Sequence, residues 1–280
     1  MAVTTENLKR WIEQSNIDYV TYFIKAWIPF NAWYNMHFPL LEGERAKINA
    51  TKNNTNPVRN GISTYLENDG QEGENFRNYL AALHHGLQNH ILSNETGSIS
   101  FHDIIKEKNP KNLVDNETIN RIKYYLKRDD SGRLGEINKI QVFLKDHTNK
   151  TFFQYEHNAY DFEHLKLVSN TQANFENLSP RQKEQIRIFF LQLHPIITTN
   201  AIETNLEESP KNYYKCDSFH FKRDINDSYC RGNYVSKSLI ETLYQLRNIL
   251  FHGELIPSDG IQPIYKNAYF LLKMILEKVK

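Results

Sequence analysis

The chain has 280 residues, 34 basic against 33 acidic, and two cysteines. That length suits one large domain or two small ones, and the balanced charge excludes a globally basic nucleic-acid-binding surface, so any such contact must be local. Cys216 and Cys230 are too few for a disulfide framework and form no CxxC pair, the first residues carry no signal-like apolar run, and no stretch reaches the roughly 20 apolar residues of a membrane span. A soluble cytoplasmic chain with no membrane partner is expected.

Residues 16–38 place Tyr19, Phe23, Ala26, Trp27, Phe30, Trp33 and Tyr34 at helical spacing, which predicts a buried helix. Pro29 should kink or split it near Ile28, because proline removes a donor and clashes with the preceding turn. Asn31 would then sit beside a bend. The text from 51 to 75 is polar, with a short helix expected where Val58, Ile62 and Leu66 turn inward. Phe76, Leu80, Leu83, Leu87 and Ile91 predict another helix. Shorter helices are expected over 99–108 and 115–128, separated by the break at Pro110.

The period then changes. Ile140, Val142 and Leu144 alternate with polar residues, and "KDHTNK" supplies a turn before Phe152 or Phe153 and Tyr155, so a β-hairpin is expected over 138–157. It must pack on neighbouring helices to be stable. Ser179 as N-cap and Pro180 in the first turn start a helix whose buried stripe is Ile186, Phe189, Phe190 and Leu193. Residues 200–234 read as a long polar connection with scattered aromatics, a length more often functional than idle. Two helices close the chain, over 235–251 (Val235, Leu239, Leu243, Leu246, Leu250) and 263–279, the last opened by Pro263. The expected architecture is a single helical domain with a hairpin insertion.

The stretch that carries chemistry is "LYQLRNILFHGEL", residues 243–255. With 12 Arg and 11 His in the chain, an Arg-x4-His spacing arises by chance roughly 0.5 times, and requiring Asn, Asp or His after the Arg lowers that to about 0.1. Residues five apart on an ideal helix lie about 140° apart. Gly253 should end the helix, placing His252 at the cap, where its side chain could swing back towards Arg247. The carbonyl end of a helix also favours a protonated imidazole. A plainer alternative is that Arg247 forms an ion pair, His252 satisfies the last carbonyls and Gly253 only stops the helix.

"LRNILFHG" resembles the Arg-polar-x3-His signature of HEPN domains, helical modules of toxin–antitoxin and antiviral defence systems, and "FIKAWIPFNAWY" is similar to aromatic first helices with an embedded Asn in HEPN-like proteins of bacterial defence loci. The resemblance implies a mainly α fold, a HEPN-like helical bundle over residues 1–280 with the hairpin inserted at 138–157 and the segment 200–234 as connection. It also implies a homodimeric, metal-independent endoribonuclease with no cofactor. One His252 would be the base that takes the 2′-OH proton and its mate the acid for the leaving 5′-oxygen; Arg247 would brace the phosphoryl charge, and Asn248 would orient the phosphate or the imidazole. The product would carry a 2′,3′-cyclic phosphate. The expected partners are RNA, a second copy, and an antitoxin, sensor or phage-derived regulator. The alternative is a non-catalytic HEPN-like module that binds RNA or a protein. The Tyr modified in one toxin group of the family has no counterpart here, since Gly253 and Glu254 follow His252.

Asn31 is a further substrate-binding candidate, or else a cap for the carbonyls freed by Pro29. Lys222, Arg223 and Arg231, interleaved with aromatics, could line a groove for single-stranded RNA, although Asp217, Asp224 and Asp227 dilute their charge. His84, His85 and His90 lack ligand spacing with a Cys, Asp or Glu, and no metal site is expected. Arg77 with His84, and Arg187 with His194, repeat a looser spacing without the polar neighbour or the Gly stop, and are set aside.

Overall fold

The computed structural model describes residues 18–94, 97–132, 137–168, 174–204, 210–224, 232–255 and 260–279. It corrects the expected fold class. Among the described residues there are eight α-helices and ten strands, arranged as one four-stranded and three two-stranded antiparallel or paired sheets. The fold is mixed α and β, not a mainly α, HEPN-like helical bundle with a hairpin insertion.

Residues 1–105 and 198–280 form one compact unit and residues 106–197 a second. The first unit holds α1 (Tyr19–His37), α2 (Glu44–Asn53), α3 (Pro57–Glu67), α4 (Gln71–Asn89), α7 (Asn233–Phe251) and α8 (Ile261–Glu277). Helix α8 packs on α1 and α4, and α7 packs on α2 and α3. Their shared core includes Phe23, Trp27, Phe30, Ile62, Phe76, Leu80, Leu239, Leu243, Leu272 and Ile275. Each such side chain contributes about 1.5–3 kcal/mol by leaving water.

Helix α1 runs unbroken through Pro29 rather than splitting at Ile28. Both residues are exposed, so the carbonyl of Lys25 that proline leaves without a donor sits on the solvent side. Asp18 caps this helix by accepting from the N–H groups of Val20 and Thr21. Helix α4 stops at Asn89, and Ile91 is left 78% exposed instead of continuing the buried stripe. Short strands complete this unit: β1 (Ser93–Asn94) pairs with β2 (Gly97–Ser98), and β9 (Tyr213–Cys216) with β10 (Phe219–Lys222). The last pair gives structure to part of 200–234, which reads as a mere connection. Strand β3 (Ile105–Lys108) pairs with β8 (Ile196–Thr199).

The second unit extends one expectation, since the hairpin forms where it was expected, and corrects another. The hairpin β6 (Lys139–Lys145) and β7 (Thr151–His157) is half of a four-stranded antiparallel sheet, ordered β4-β5-β6-β7. Strands β4 (Leu113–Ile119) and β5 (Ile122–Asp129) fill the place where a helix was expected over 115–128. Tyr124, Leu126 and Arg128 all point to the buried face, which is the period of two. The sheet's apolar face is covered within the unit by α5 (Phe162–Leu167) and α6 (Pro180–Gln192) through Leu165, Ile186, Phe189 and Phe190. Ser179 opens α6 with a reciprocal capping box to Gln182.

Candidate functional site

Helix α7 buries Val235, Leu239, Leu243, Leu246 and Ile249, with Leu250 only partly covered. Its end is built by hydrogen bonds. The N–H of Gly253 donates to Leu250 O at 3.3 Å, and that of Glu254 to Ile249 O at 3.0 Å. With Gly253 at φ +70°, this is the paired closure that a left-handed C′ residue makes possible. His252 is therefore the cap residue, as the stop at Gly253 predicts, and its side chain is exposed.

The cap keeps helical backbone, however, with φ −88° and ψ −4°. The chain turns one residue later, at Gly253, so the angular offset between Arg247 and His252 persists. No hydrogen bond or ion pair joins the two side chains among the described residues, and the expected swing of His252 towards Arg247 does not occur within one chain.

Arg247 is held instead by other groups. Its Nη1 donates to Asn248 Oδ1 at 3.0 Å and lies 3.0 Å from Glu44 Oε2. Its guanidinium stacks over Phe251 with 4.2 Å to the ring centroid, and Phe251 is itself 57% exposed. Nε is buried without a partner. Asn248 thus supports Arg247 directly. Glu44 stands in the first turn of α2, just after Gly43 at φ +78°, and its Oε1 accepts a 2.6 Å hydrogen bond from Tyr34 Oη. Tyr34 is fully buried. Burial first, and then the hydrogen bond and charge of Glu44, push its phenol above the ordinary tyrosine range.

Asn31 lies one step away on the same helix as Tyr34. Asn35 Nδ2 donates to the Asn31 carbonyl and side-chain oxygens, and Asn35 Oδ1 accepts from Lys47 Nζ at 2.6 Å. Further along α7, Glu241 is nearly buried between Arg45, at 2.7 Å, and Lys52. Burial works to raise its carboxyl, but Arg45 and Lys52 outweigh that and hold it below the ordinary range. Helices α1, α2 and α7 thus present one polar face with Asn31, Glu44, Arg45, Lys47, Arg247 and Asn248 on it.

The other candidates lie elsewhere. Arg223 pairs with Glu67 at 2.5 Å and stacks on Tyr214, while Lys222 ends β10. The neighbouring Asp224 reaches Asn233, at the first residue of α7. Fourteen residues of helix, about 21 Å, separate that end from Arg247, so Lys222 and Arg223 are not brought to the motif. Arg231 is outside the described residues. His85 meets Asp217 at 3.0 Å, His84 is buried against Phe101 and Phe219, and no group of three His, Cys, Asp or Glu is placed to hold a metal among the described residues. Arg77 caps α3 through the carbonyls of Leu66 and Asn68, and Arg187 pairs with Glu184.

Beyond the stop of α7 lies a cavity of about 440 Å³, lined by Asn89, His90, Leu92, Ile249, Glu254 and Leu255, among others. It is large enough for a nucleobase-sized group. Neither the family models, nor the curated proteins, nor the solved structures contain a match to the chain. Function therefore has to be argued from the site alone. The sequence missed Glu44, Tyr34 and Glu241 as site residues. A charged residue straight after a glycine, at the start of a short helix with little apolar surface, was the available signal for Glu44. Among the described residues, no helix is long and apolar enough to cross a membrane.

Proposed function

We propose that the chain is a metal-independent endoribonuclease of a bacterial antiphage or toxin system, working in the cytoplasm, with Arg247, Asn248 and His252 as its core. The observation that carries this reading is the asymmetry at the end of α7. Arg247 is anchored through Nη1 with 17% of its side chain exposed, whereas the His252 imidazole, five residues on, is exposed and makes no hydrogen bond or ion pair among the described residues. A fixed cation and a free proton-transfer group at one helix end are the parts that RNA cleavage needs, because RNA supplies its own nucleophile.

In the reaction, the 2′-oxygen attacks phosphorus as its proton passes to one His252. The bond from phosphorus to the 5′-oxygen breaks, and a second His252 protonates that oxygen. The products are a 2′,3′-cyclic phosphate and a 5′-hydroxyl. One chain supplies one imidazole, so the complete site needs a second copy, in which the exposed ends of two α7 helices would face each other. Arg247 would offer its Nη2 side to the phosphoryl oxygens, and Asn248 would keep that guanidinium in place. An antitoxin, a sensor or a phage-derived regulator would control access.

A second reading is favoured by one specific contact. The Glu44 carboxylate already neutralises Arg247, as it would in a non-catalytic module that binds RNA or a protein through the α1, α2 and α7 face. Total RNA incubated with purified protein in EDTA separates the two. The nuclease reading expects cyclic-phosphate ends from wild type and none from folded Arg247→Ala or His252→Ala. Equal cleavage by all three removes the site assignment, and binding without cleavage by any leaves the module.

A further inference from the structure

The group bound most closely to Arg247 from another helix is an anion, and it comes from the protein itself. Glu44 reaches Nη1 at 3.0 Å across 203 residues of sequence. Its other oxygen is fastened at 2.6 Å by Tyr34, whose buried phenol is pushed upward and so keeps its proton and remains a donor. Nε and Nη2 of Arg247 have no hydrogen-bond partner among the described residues. For a guanidinium, a carboxylate and a phosphodiester are ligands of the same chemical class, both met by its planar donors. A phosphodiester approaching Arg247 therefore meets an occupied nitrogen and a fixed negative charge beside it.

We infer that Glu44 is an internal competitor at Arg247: a carboxylate seated where an RNA phosphodiester would bind, braced by Tyr34, which lowers affinity in the resting chain. This rests on the reading of Arg247 as a phosphate contact. It gives the proposed nuclease a resting restraint within its own fold. Any change that draws α2 away from α7, such as docking of a partner on the Arg45 and Lys47 surface, would release Arg247 for substrate.

The test is binding of a 2′-O-methyl RNA oligonucleotide, which lacks the nucleophile and cannot be cut, at fixed salt. Glu44→Gln removes the charge with little change of shape and should tighten binding on the order of tenfold, the scale of one unit charge at a partly exposed site. The gain should vanish in the Arg247→Ala background. Equal or weaker binding by folded Glu44→Gln overturns the inference, and so does a gain that persists without Arg247. If Glu44→Gln does not fold, Tyr34→Phe asks the same question: loosening the brace should raise affinity, and no rise overturns the inference. Tighter binding with no cleavage of ordinary RNA would keep the competitor and remove the nuclease. Cleavage dependent on His252 but no response to Glu44→Gln would do the reverse.

Discussion

Arg128, with no exposed side-chain surface, grips Asp130 through two nitrogens, Nε at 2.7 Å and Nη2 at 2.9 Å. Its remaining donors go to backbone: Nη1 to the carbonyls of Leu193 and His194, Nη2 also to that of Asn109. One guanidinium thus ties the end of β5 to the end of α6 and to the turn before β4. Arg128→Ala would leave the Leu193 and Asn109 carbonyls without this donor and take from Asp130 its two-nitrogen partner, while His194 O keeps Asn109 Nδ2 and Asp130 keeps Lys108, a change that costs about 3 kcal/mol. Urea unfolding should show that loss. Arg128→Lys should recover little, since a point charge with three donors cannot replace the fork. A lysine variant as stable as wild type would mean that charge alone matters there.

The same residue explains why β5 is hard to see in the sequence. In a half-buried strand the inward positions are normally apolar, but here the inward series is Tyr124, Leu126, Arg128. A buried arginine reads as a solvent residue, so the alternation is disguised and the segment resembles a helix. Helix α2 escaped for the opposite reason. Only Ile48 and Ala50 of its apolar residues are buried, too few for a periodic stripe, and Glu44 was lost with it. By contrast α1, α3, α4, α6, α7 and α8 carry broad apolar faces, and α1, α3 and α6 also have side-chain N-caps, which are local signals. The end of α7 was legible to the residue, because only a left-handed Gly253 can close it. The pairing of Glu44 with Arg247 was not, since no local pattern records a contact between distant segments.

Gly253 offers a way to move His252 without touching it. A Cβ at that position would meet nothing within 4 Å, yet φ is +70°, so Gly253→Ala suffers from backbone strain alone, about 1–2 kcal/mol. The chain should relieve that strain by fraying the last turn of α7, which displaces His252. Melting should therefore show a modest loss while RNA cleavage falls much further. Cleavage that tracks stability alone would argue that the placement of His252 has no role.

His84 sets a pH dependence within the first unit. Burial first, and then the charges of His102 and His85, lower its pKa from 6.5 to about 4. The folded chain therefore keeps this imidazole neutral where the unfolded chain binds a proton. The stabilisation is fully present above pH 6.5, falls as pH drops through that value, and is exhausted near pH 4, a change of about 3 kcal/mol. Chemical denaturation across pH 4–7.5 should show that slope, and His84→Phe should flatten it. An unchanged slope in a folded His84→Phe chain would assign the effect to other groups.

The proposed dimer makes a prediction that a complete single-chain site does not. If each scissile phosphate needs His252 from two copies, a mixed dimer of wild type with His252→Ala has one imidazole and cannot supply both base and acid. Adding a tenfold excess of folded His252→Ala to wild type, with time for exchange, should then silence most of the cleavage. Dilution should also lower activity per chain, because association is driven by mass action. Arg247→Ala added in the same excess should poison as well, but Lys222→Ala, altered at the end of β10, should not. Wild-type activity that ignores an excess of His252→Ala would place base and acid in one chain, and attention would pass to Glu44 as the second proton-transfer group.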